Sequence, residues 1–221
     1  MKKLFFLAAA MCAAISLNAE TYNFGGITAD QITTDGTKGT YVMDGETIPS
    51  VSQPADVDIN CTISTLPNLV INYTQSTGKS KDNILKFAAD YMQTDGKNVI
   101  LTFSNVAIGS NIELLVSAKG STASVFTAFE GCVSATGADY TVAKKEALAD
   151  YETITFMATA STVRIKETAG GYRIISAQVG GTTAVENAFV APKATKMMVD
   201  GQMVIVRGDG VKYNALGTVI E

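Results

Sequence analysis

The chain of 221 residues contains no histidine. Histidine is the side chain that exchanges protons near neutral pH, and its ring is the commonest nitrogen ligand of transition metals in proteins. Its absence excludes hydrolases built on Ser-His-Asp or Cys-His arrangements, zinc peptidases and most transition-metal sites. We therefore expect a protein that has no metal site and no cofactor.

Tryptophan is absent as well, whereas the chain has eight tyrosines. Aromatic rings provide the flat apolar surfaces on which sugar rings stack, and tyrosine adds a hydroxyl group that forms hydrogen bonds. Any aromatic contact with a sugar would therefore have to use phenol rings.

No pair of carboxylates is marked out for catalysis. Most glycoside hydrolases need two carboxylates about 5 to 10 Å apart. The Asp and Glu residues are scattered along this chain, and none is distinguished by an apolar setting that would raise its pKa. We expect a non-catalytic protein, with a small glycan-active enzyme as the less favoured alternative.

The chain has fewer basic than acidic residues: 17 Lys and Arg against 21 Asp and Glu, which gives a formal charge of −4. Nucleic acids and anionic membrane surfaces are bound mainly through clustered Lys and Arg. We therefore expect neither of them as a partner.

A long apolar run occurs at the N-terminus, where Lys2 and Lys3 precede apolar residues 4–15. Leu17-Asn18-Ala19 follows as an A-x-A-like cleavage site, so residues 1–19 are predicted to be a signal peptide and the mature chain to begin at Glu20. The run is shorter than the roughly 20 residues that a membrane span needs. We expect a secreted or cell-surface protein without a membrane span. A lipid anchor at Cys12 is a weaker alternative, because Met11 stands where a small residue is required.

Two cysteines remain after this cleavage, Cys61 and Cys132. An exported protein meets conditions in which the two thiols can form a disulfide. Cys61, however, alternates with Ile59 and Ile63 on the apolar side of a predicted strand, which favours a buried free thiol. Spacing alone does not decide between the two alternatives.

Short alternating or β-branched runs separated by turn residues dominate the chain, and they predict an all-β sandwich. In Val99, Leu101 and Phe103, for example, apolar residues recur at period two, as in a half-buried strand. The predicted strands cover residues 40–43, 57–63, 69–74, 98–103, 111–118, 124–129, 153–158, 162–166 and 172–179. Residues 80–93 fit a helix or a strand, of which we favour the strand. Residues 142–151 contain good helix formers and predict one or two helical turns.

The end of the chain forms a separate region. Residues 20–179 are predicted to be the sandwich, residues 180–195 a linker without periodicity, and residues 196–221 a β-meander of four short strands. Asp200-Gly201 is a dipeptide favoured in two-residue hairpin turns.

This C-terminal region resembles the sorting domains of the type IX secretion system of Bacteroidetes. The resemblance rests on Asp200 and Gly201, with an apolar run after them, and on Tyr213, Asn214 and Gly217. It implies that the secretion machinery is a partner of this segment and that the protein reaches the cell surface.

Residues 84–179 resemble the small jelly-roll accessory modules of secreted glycan-degrading proteins in the same bacteria. The residues that carry this resemblance are Gly120-Ser121-Thr122-Ala123, Ile154-Thr155-Phe156 and Gly170-Gly171-Tyr172-Arg173-Ile174. The resemblance implies a jelly-roll fold and a non-catalytic module that binds carbohydrate or has a structural role.

Four residues are candidate ligand contacts: Tyr172, Arg173, Tyr73 and Tyr91. A tyrosine ring and an arginine fork at the edge of a loop can stack on a sugar and hydrogen-bond to it. Alternation alone would instead place Tyr172 in the core and Arg173 in solvent, and this interpretation is favoured for that pair.

The most favoured function is carbohydrate binding at or outside the cell surface, with a polysaccharide or surface glycan as partner. The alternative is a structural or adhesive protein that binds other proteins. An exposed set of tyrosines on one sheet face would support the first function, and an exposed apolar patch or open sheet edge the second.

Overall fold

A computed structural model describes residues 19–74, 80–96 and 98–180 in full, together with the backbone of four strands between residues 195 and 220. The described residues form an all-β structure in which two antiparallel sheets pack as a sandwich, as predicted. Two single 3₁₀ turns, Ala29–Gln31 and Leu148–Asp150, are the helical elements of this described part. None of its helices is long and apolar enough to cross a membrane.

One sheet, called sheet A here, has nine described strands. They are β1 (Glu20–Asn23), β3 (Thr37–Met43), β4 (Glu46–Gln53), β7 (Lys81–Phe87), β8 (Met92–Thr94), β10 (Asn111–Ala118), β12 (Cys132–Ser134), β14 (Glu152–Ala158) and β16 (Tyr172–Val179). Their order is β12-β14-β10-β16-β8-β7-β4-β3, and β1 pairs with β16.

The opposite sheet, sheet B, has seven described strands. They are β2 (Ile32–Thr34), β5 (Ile59–Ile63), β6 (Leu69–Tyr73), β9 (Val99–Phe103), β11 (Ser124–Glu130), β13 (Tyr140–Val142) and β15 (Val163–Ala169). Their order is β13-β11-β15-β9-β6-β5-β2.

Strand β16 joins the two halves of sheet A. One side of it pairs with β10, from Val179 opposite Ile112 to Tyr172 opposite Ala118. Its other side pairs with β8 near Arg173 and with β1 further along. Every connection between the β12-β14-β10 half and the β8-β7-β4-β3 half of the described sheet runs through this strand.

The core lies between the two sheets and is built by period-two alternation. Val99, Leu101 and Phe103 point into it from sheet B, and Ile112 and Leu114 point into it from sheet A. The ring of Tyr22 meets that of Phe103 edge to face at 5.5 Å, so the N-terminal strand is part of this core.

The structure confirms strands within or overlapping all nine predicted ranges, and β10 and β16 have the predicted bounds. Residues 80–93 also form strands, β7 and most of β8, as favoured from the sequence. Of the one or two helical turns predicted for residues 142–151, the structure has a single 3₁₀ turn, Leu148–Asp150, and no longer helix in this segment. The hydroxyl of Ser117 accepts a hydrogen bond from the Lys145 amide at 2.8 Å, which ties this segment to β10 in place of a helical bond.

The hairpin of β3 and β4 was only half predicted. Asp44 and Gly45 form its two-residue turn, both with positive φ (54° and 87°), as type I′ turns require. Pro49 lies inside β4 opposite Thr40. A proline within a run of residues argues against a strand when only the sequence is known. Strand β3 forms one edge of sheet A, and six of its seven residues are exposed.

Both described cysteines are free and buried. Cys61 lies on β5 in sheet B between Ile59 and Ile63, and Cys132 lies on β12 in sheet A. Burial raises the pKa of the Cys61 thiol to about 12 and that of Cys132 to about 11. The free-thiol alternative therefore holds, and both thiols stay protonated at neutral pH.

The chain divides into two compact units, residues 1–181 and 182–221. In the second unit, β17 (Thr195–Val199), β18 (Gln202–Val206), β19 (Lys212–Asn214) and β20 (Val219–Ile220) pair in chain order as an antiparallel meander. This matches the predicted four-strand meander. The predicted signal peptide lies outside the described residues except for its last residue, and the predicted linker lies outside them except at its two ends.

Candidate functional site

A row of polar residues crosses the face of sheet A that points away from the core. Ser50 on β4 lies opposite Lys86 on β7, and Lys86 lies opposite Gln93 on β8. Gln93 lies opposite Arg173 on β16, which in turn lies opposite Ser117 on β10. We call these five residues the polar row.

The neighbours of the polar row along each strand show why it faces outward. Val51, Leu85, Met92, Ile174 and Val116 each follow or precede a row residue and belong to the core. Successive side chains of a strand point to opposite faces, so the row lies on the outer face of sheet A.

Most of the polar row is covered in spite of facing outward. Lys86 is 3% exposed and Gln93 4% exposed. Two tyrosines lie beside the row: the ring centroid of Tyr41 is 4.6 Å from the Lys86 ammonium, and that of Tyr91 is 4.7 Å from the Arg173 guanidinium carbon. Both distances are those of cation–π contacts, and these contacts hold the two rings against the row.

Arg173 is the half-buried member of the polar row. Its Nε donates a hydrogen bond to Gln93 Oε1 at 2.8 Å, while the Tyr91 hydroxyl donates one to Asp44 at 3.2 Å. Burial raises the pKa of Tyr151, and the hydrogen bond from Arg173 and the Arg173 charge oppose that rise. Tyr151 is buried, and the Arg173 side chain is a polar neighbour of its hydroxyl. Arg173 is thus held by a ring and an amide beside a buried hydroxyl.

Lysines gather around Asp95, directly after β8. Lys86 lies 3.6 Å from its carboxylate, and Lys119 donates a hydrogen bond to the same group. Burial alone would raise the pKa of Asp95, but the hydrogen bond from Lys119 and the charges of Lys86, Lys119 and Lys81 lower it below its ordinary value. Burial lowers the pKa of Lys86, against the effect of Asp95.

The structure brings together two of the four predicted ligand contacts. Arg173 and Tyr91 form the stacked pair on the outer face of sheet A. Tyr172 is 1% exposed, and its ring packs against Phe126 at 4.9 Å inside the core. Tyr73 also points into the core, from the end of β6. The alternation of Tyr172 and Arg173 between core and outer face is the interpretation favoured from the sequence.

Of the five predicted sorting residues, Asp200, Gly201 and Gly217 lie outside the described residues. Tyr213 and Asn214 belong to strand β19. Their backbone pairs with β18, and Tyr213 also lies opposite Val219 on β20.

Sequence reasoning missed Lys86 and Gln93 as site residues. Each stands between apolar or buried neighbours of a short strand, a pattern that indicates only an outward-facing position. Their alignment with Arg173 depends on the register of three strands, which one sequence does not reveal. Tyr41, the ring beside Lys86, is 38% exposed.

One carboxyl group departs from the sequence expectation that none has a raised pKa. Glu167 on β15 is 1% exposed and points towards the core. Burial raises its pKa to about 7, although the Gly171 amide, which donates to its Oε1 at 3.2 Å, acts in the opposite direction.

Exposed apolar side chains lie near a different edge of the sandwich. Phe129 at the end of β11 is 47% exposed, and Val133 and Met157, opposite each other on β12 and β14, are 44% and 40% exposed. The cations of Arg164 and Lys166 lie 5.0 and 5.3 Å from the Phe129 ring. Exposed apolar side chains of this kind are what the protein-binding alternative requires.

The outer face of sheet A presents the exposed ring of Tyr41 and the half-buried Arg173, while the Gln93 amide and the Tyr91 ring beside them are buried. No group of three or more Cys, Asp or Glu residues that could hold a metal ion occurs among the described residues. No protein-family model matches the chain, and no curated protein matches it.

Proposed function

We propose that the protein is an exported, non-catalytic β-sandwich module that binds carbohydrate on the outer face of sheet A. The observation that carries this proposal is the stacked pair of Arg173 and Tyr91 beside Gln93. Sugars are recognised by a few polar groups that fix orientation, together with aromatic faces that cover the apolar side of the ring. On the outer face of sheet A, Arg173 supplies a half-buried polar group, and Tyr41, which is 38% exposed, supplies an aromatic face. Tyr91 and Gln93 are buried and hold Arg173 in place.

Replacing Arg173 by alanine is expected to weaken glycan binding at least tenfold, since an anchoring Arg or Tyr in a partly desolvated site contributes on the order of 1.4 kcal/mol or more. The measurement is a glycan-array screen of residues 20–221, followed by a titration with the glycans that bind. Tyr91→Ala should cause a similar loss, because the ring supports Arg173 at 4.7 Å.

Arg164→Ala is the matched control. Arg164 also stacks on an aromatic ring, at 5.0 Å from Phe129, and also bonds to an acceptor, at 2.8 Å from Glu130, but it lies on sheet B. Equal losses in Arg164→Ala and Arg173→Ala would place the binding elsewhere. An array without any binding, from a protein that unfolds cooperatively, would overturn the carbohydrate proposal.

The second candidate function is a structural or adhesive role with a protein partner. The exposed Phe129, Val133 and Met157 and the open edge strand β3 favour it, because apolar patches and unpaired edges are surfaces on which other chains dock. A glycan array without any binding would favour this role over carbohydrate binding.

Export is the remaining part of the proposal. The predicted signal peptide supports it, and the first strand of the sandwich begins at Glu20, the expected first residue of the mature chain. The resemblance of residues 196–221 to type IX sorting domains supports the cell surface as the destination, with the secretion machinery as a partner.

Expression of the full chain in a bacterium with a general secretion pathway is expected to yield a mature protein whose first residue is Glu20, as read by mass spectrometry of the intact protein. Ala19→Arg should leave the precursor uncleaved, because signal peptidase requires a small residue at that position. A lipid-modified N-terminus at Cys12, or an unprocessed wild-type chain, would contradict the expectation.

A further inference from the structure

Four strands stand at the ends of the two described sheet orders, and they differ in length. Strand β12 ends sheet A on one side, and β13 and β2 end sheet B; each of these three has three residues. Strand β3, at the other end of sheet A, has seven residues, of which six are exposed. Natural proteins protect sheet edges partly by keeping them short. Strand β3 is therefore the end strand that is long enough to accept another strand.

Strand β3 also lacks the other devices that protect an edge. It pairs with β4 from Thr37 to Met43 in an unbroken register without a bulge, and it contains no proline. Its single charged residue is Lys38, whose ammonium donates a hydrogen bond to the Ile32 carbonyl of sheet B at 2.8 Å. An edge lysine that is tied to its own chain in this way does not repel a second strand as a free lysine would.

The turn between β3 and β4 shows which backbone groups of β3 are free. In a two-residue turn the carbonyl before the turn bonds to the amide after it, so Met43 and Glu46 form a hydrogen-bonded pair. Hydrogen-bonded and non-hydrogen-bonded pairs alternate along an antiparallel ladder. Lys38, Thr40 and Val42 therefore direct their N–H and C=O groups away from β4.

Pro49 and Val42 support this view of β3. Pro49 has no N–H group, and it lies opposite Thr40, at a pair that forms no hydrogen bond between the two strands. Val42 is 63% exposed, more than any other large apolar side chain in a described strand of the sandwich. An exposed apolar residue on a long, regular edge strand indicates a surface on which another chain docks.

The sequence of β3 complements itself when two copies run antiparallel about a twofold axis at Thr40. Lys38 of each copy then lies opposite Val42 of the other, and Thr40 lies opposite Thr40. The free groups of these residues meet in hydrogen-bonded pairs, which gives about six hydrogen bonds between the strands. We infer that β3 is an interface between two copies of this chain, which join their A sheets through antiparallel β3–β3 pairing centred on Thr40.

The same register brings a residue of the second copy to the candidate site. Tyr41 of the second copy lies opposite Gly39, and Gly39 lies opposite Ser50 of the polar row. An added Cβ at Gly39 would meet only the Ser50 hydroxyl, at 4.0 Å, so there is space for a ring above this glycine. An aromatic ring that covers an edge glycine stabilises the pairing. The use of this tyrosine in the site rests on the proposed carbohydrate function, whereas the pairing itself does not.

Sedimentation velocity of residues 20–221, without sugar, tests the pairing. The weight-average mass should rise towards that of two chains between about 1 and 300 µM, because interfaces of small area are weak. Thr40→Pro removes the amide at the centre of the interface and should raise the dissociation constant about tenfold or more. The hairpin should tolerate this proline, since the Thr40 amide points away from β4.

A charge exchange tests the twofold register. Thr40→Lys and Thr40→Glu each place two like charges opposite one another, so each should raise the dissociation constant about fivefold. An equimolar mixture of the two variants should form a mixed dimer that is about fivefold or more tighter than either variant with itself. Thr47→Lys and Thr47→Glu are the matched controls, because Thr47 is exposed in the same hairpin but lies on β4, opposite Val42. Alone or mixed, they should dimerise as the wild type does.

A chain that stays monomeric over the whole concentration range would overturn this inference and leave the proposed carbohydrate function standing, since the glycan array tests that function separately. A dimer that the Thr40 variants do not weaken, or a mixture no tighter than its components, would place the interface elsewhere and overturn the inference as well. If Thr40→Pro changes the urea midpoint of unfolding, the charge exchange still decides the question, because it compares variants at the same position.

Discussion

Glu167→Gln is expected to abolish most of the decline in stability that we expect for the wild-type sandwich between pH 4.5 and pH 7. The pKa of Glu167 is raised from 4.5 to about 7 in the folded protein. As pH rises through this window, the unfolded chain loses the proton while the folded chain keeps it. The free energy of unfolding therefore falls by about 1.4 kcal/mol per pH unit, or roughly 3 kcal/mol in all, and is constant above the folded pKa.

Glutamine does not titrate, and its Oε1 can still accept the hydrogen bond from the Gly171 amide. The difference in free energy of unfolding between the variant and wild type should therefore rise by roughly 3 kcal/mol from pH 4.5 to pH 8. A pH-independent effect of the substitution shifts this difference equally at every pH and does not change the rise. Urea unfolding at several pH values measures this relative gain. Glu46→Gln, at the exposed start of β4, removes the same charge and controls for net charge. Parallel curves for Glu167→Gln and wild type would show that the buried carboxyl group is not responsible.

Gly170→Ala is expected to destabilise the sandwich by roughly 3 kcal/mol, the sum of two backbone effects. Gly170 lies in the turn from β15 to β16 with a φ of +96°, where a side chain is strained. An added Cβ would also stand 2.6 Å from the Ala123 carbonyl oxygen and 3.1 Å from the Ser124 Cα. Because these atoms belong to the backbone, a whole segment would have to move.

Two other glycines separate the two effects. Gly45→Ala in the β3–β4 turn meets a φ of +87° but open space, so it should cost about 1 to 2 kcal/mol. Gly120→Ala meets open space without a positive φ, so it should change stability by less than about 0.5 kcal/mol. Urea unfolding at one pH ranks the three variants. If Gly170→Ala costs no more than Gly45→Ala, the close approach of Ala123 does not constrain the turn.

The longer strands were predictable because alternation of apolar residues is a local signal. In β10 and β16 this signal extends over eight residues, and their bounds agree with the structure. Strands β1, β2, β12 and β13 have only three or four residues, so too few positions alternate to reveal them. The segment around Lys145 has helical propensity, but its contact with Ser117 decides its conformation. Such contacts join residues that are distant in the chain, so no single stretch of sequence predicts them.

The candidate site was predictable only in part for the same reason. Arg173 and Tyr91 were named for their chemistry, although 82 positions of sequence separate them and only the β8–β16 register brings them together. Tyr172 and Tyr73 have the same chemistry, yet the alternation of their strands places them in the core. Lys86 is the clearest example of a site residue that the sequence does not predict. A lysine is rarely buried, and the residues next to Lys86 do not indicate Asp95 as its partner.

The position of β16 fixes when the sandwich can be completed. Tyr172–Val179 is the last strand of the sandwich to be synthesised, and β1, the first, pairs with β16 alone among the described strands. While the nascent chain lacks β16, sheet A consists of two unconnected pieces and the strand at Glu20 has no partner. Joining the two ends of so long a segment is also entropically costly and slow. Sheet A therefore cannot be completed until the last strand of the domain is free to pair.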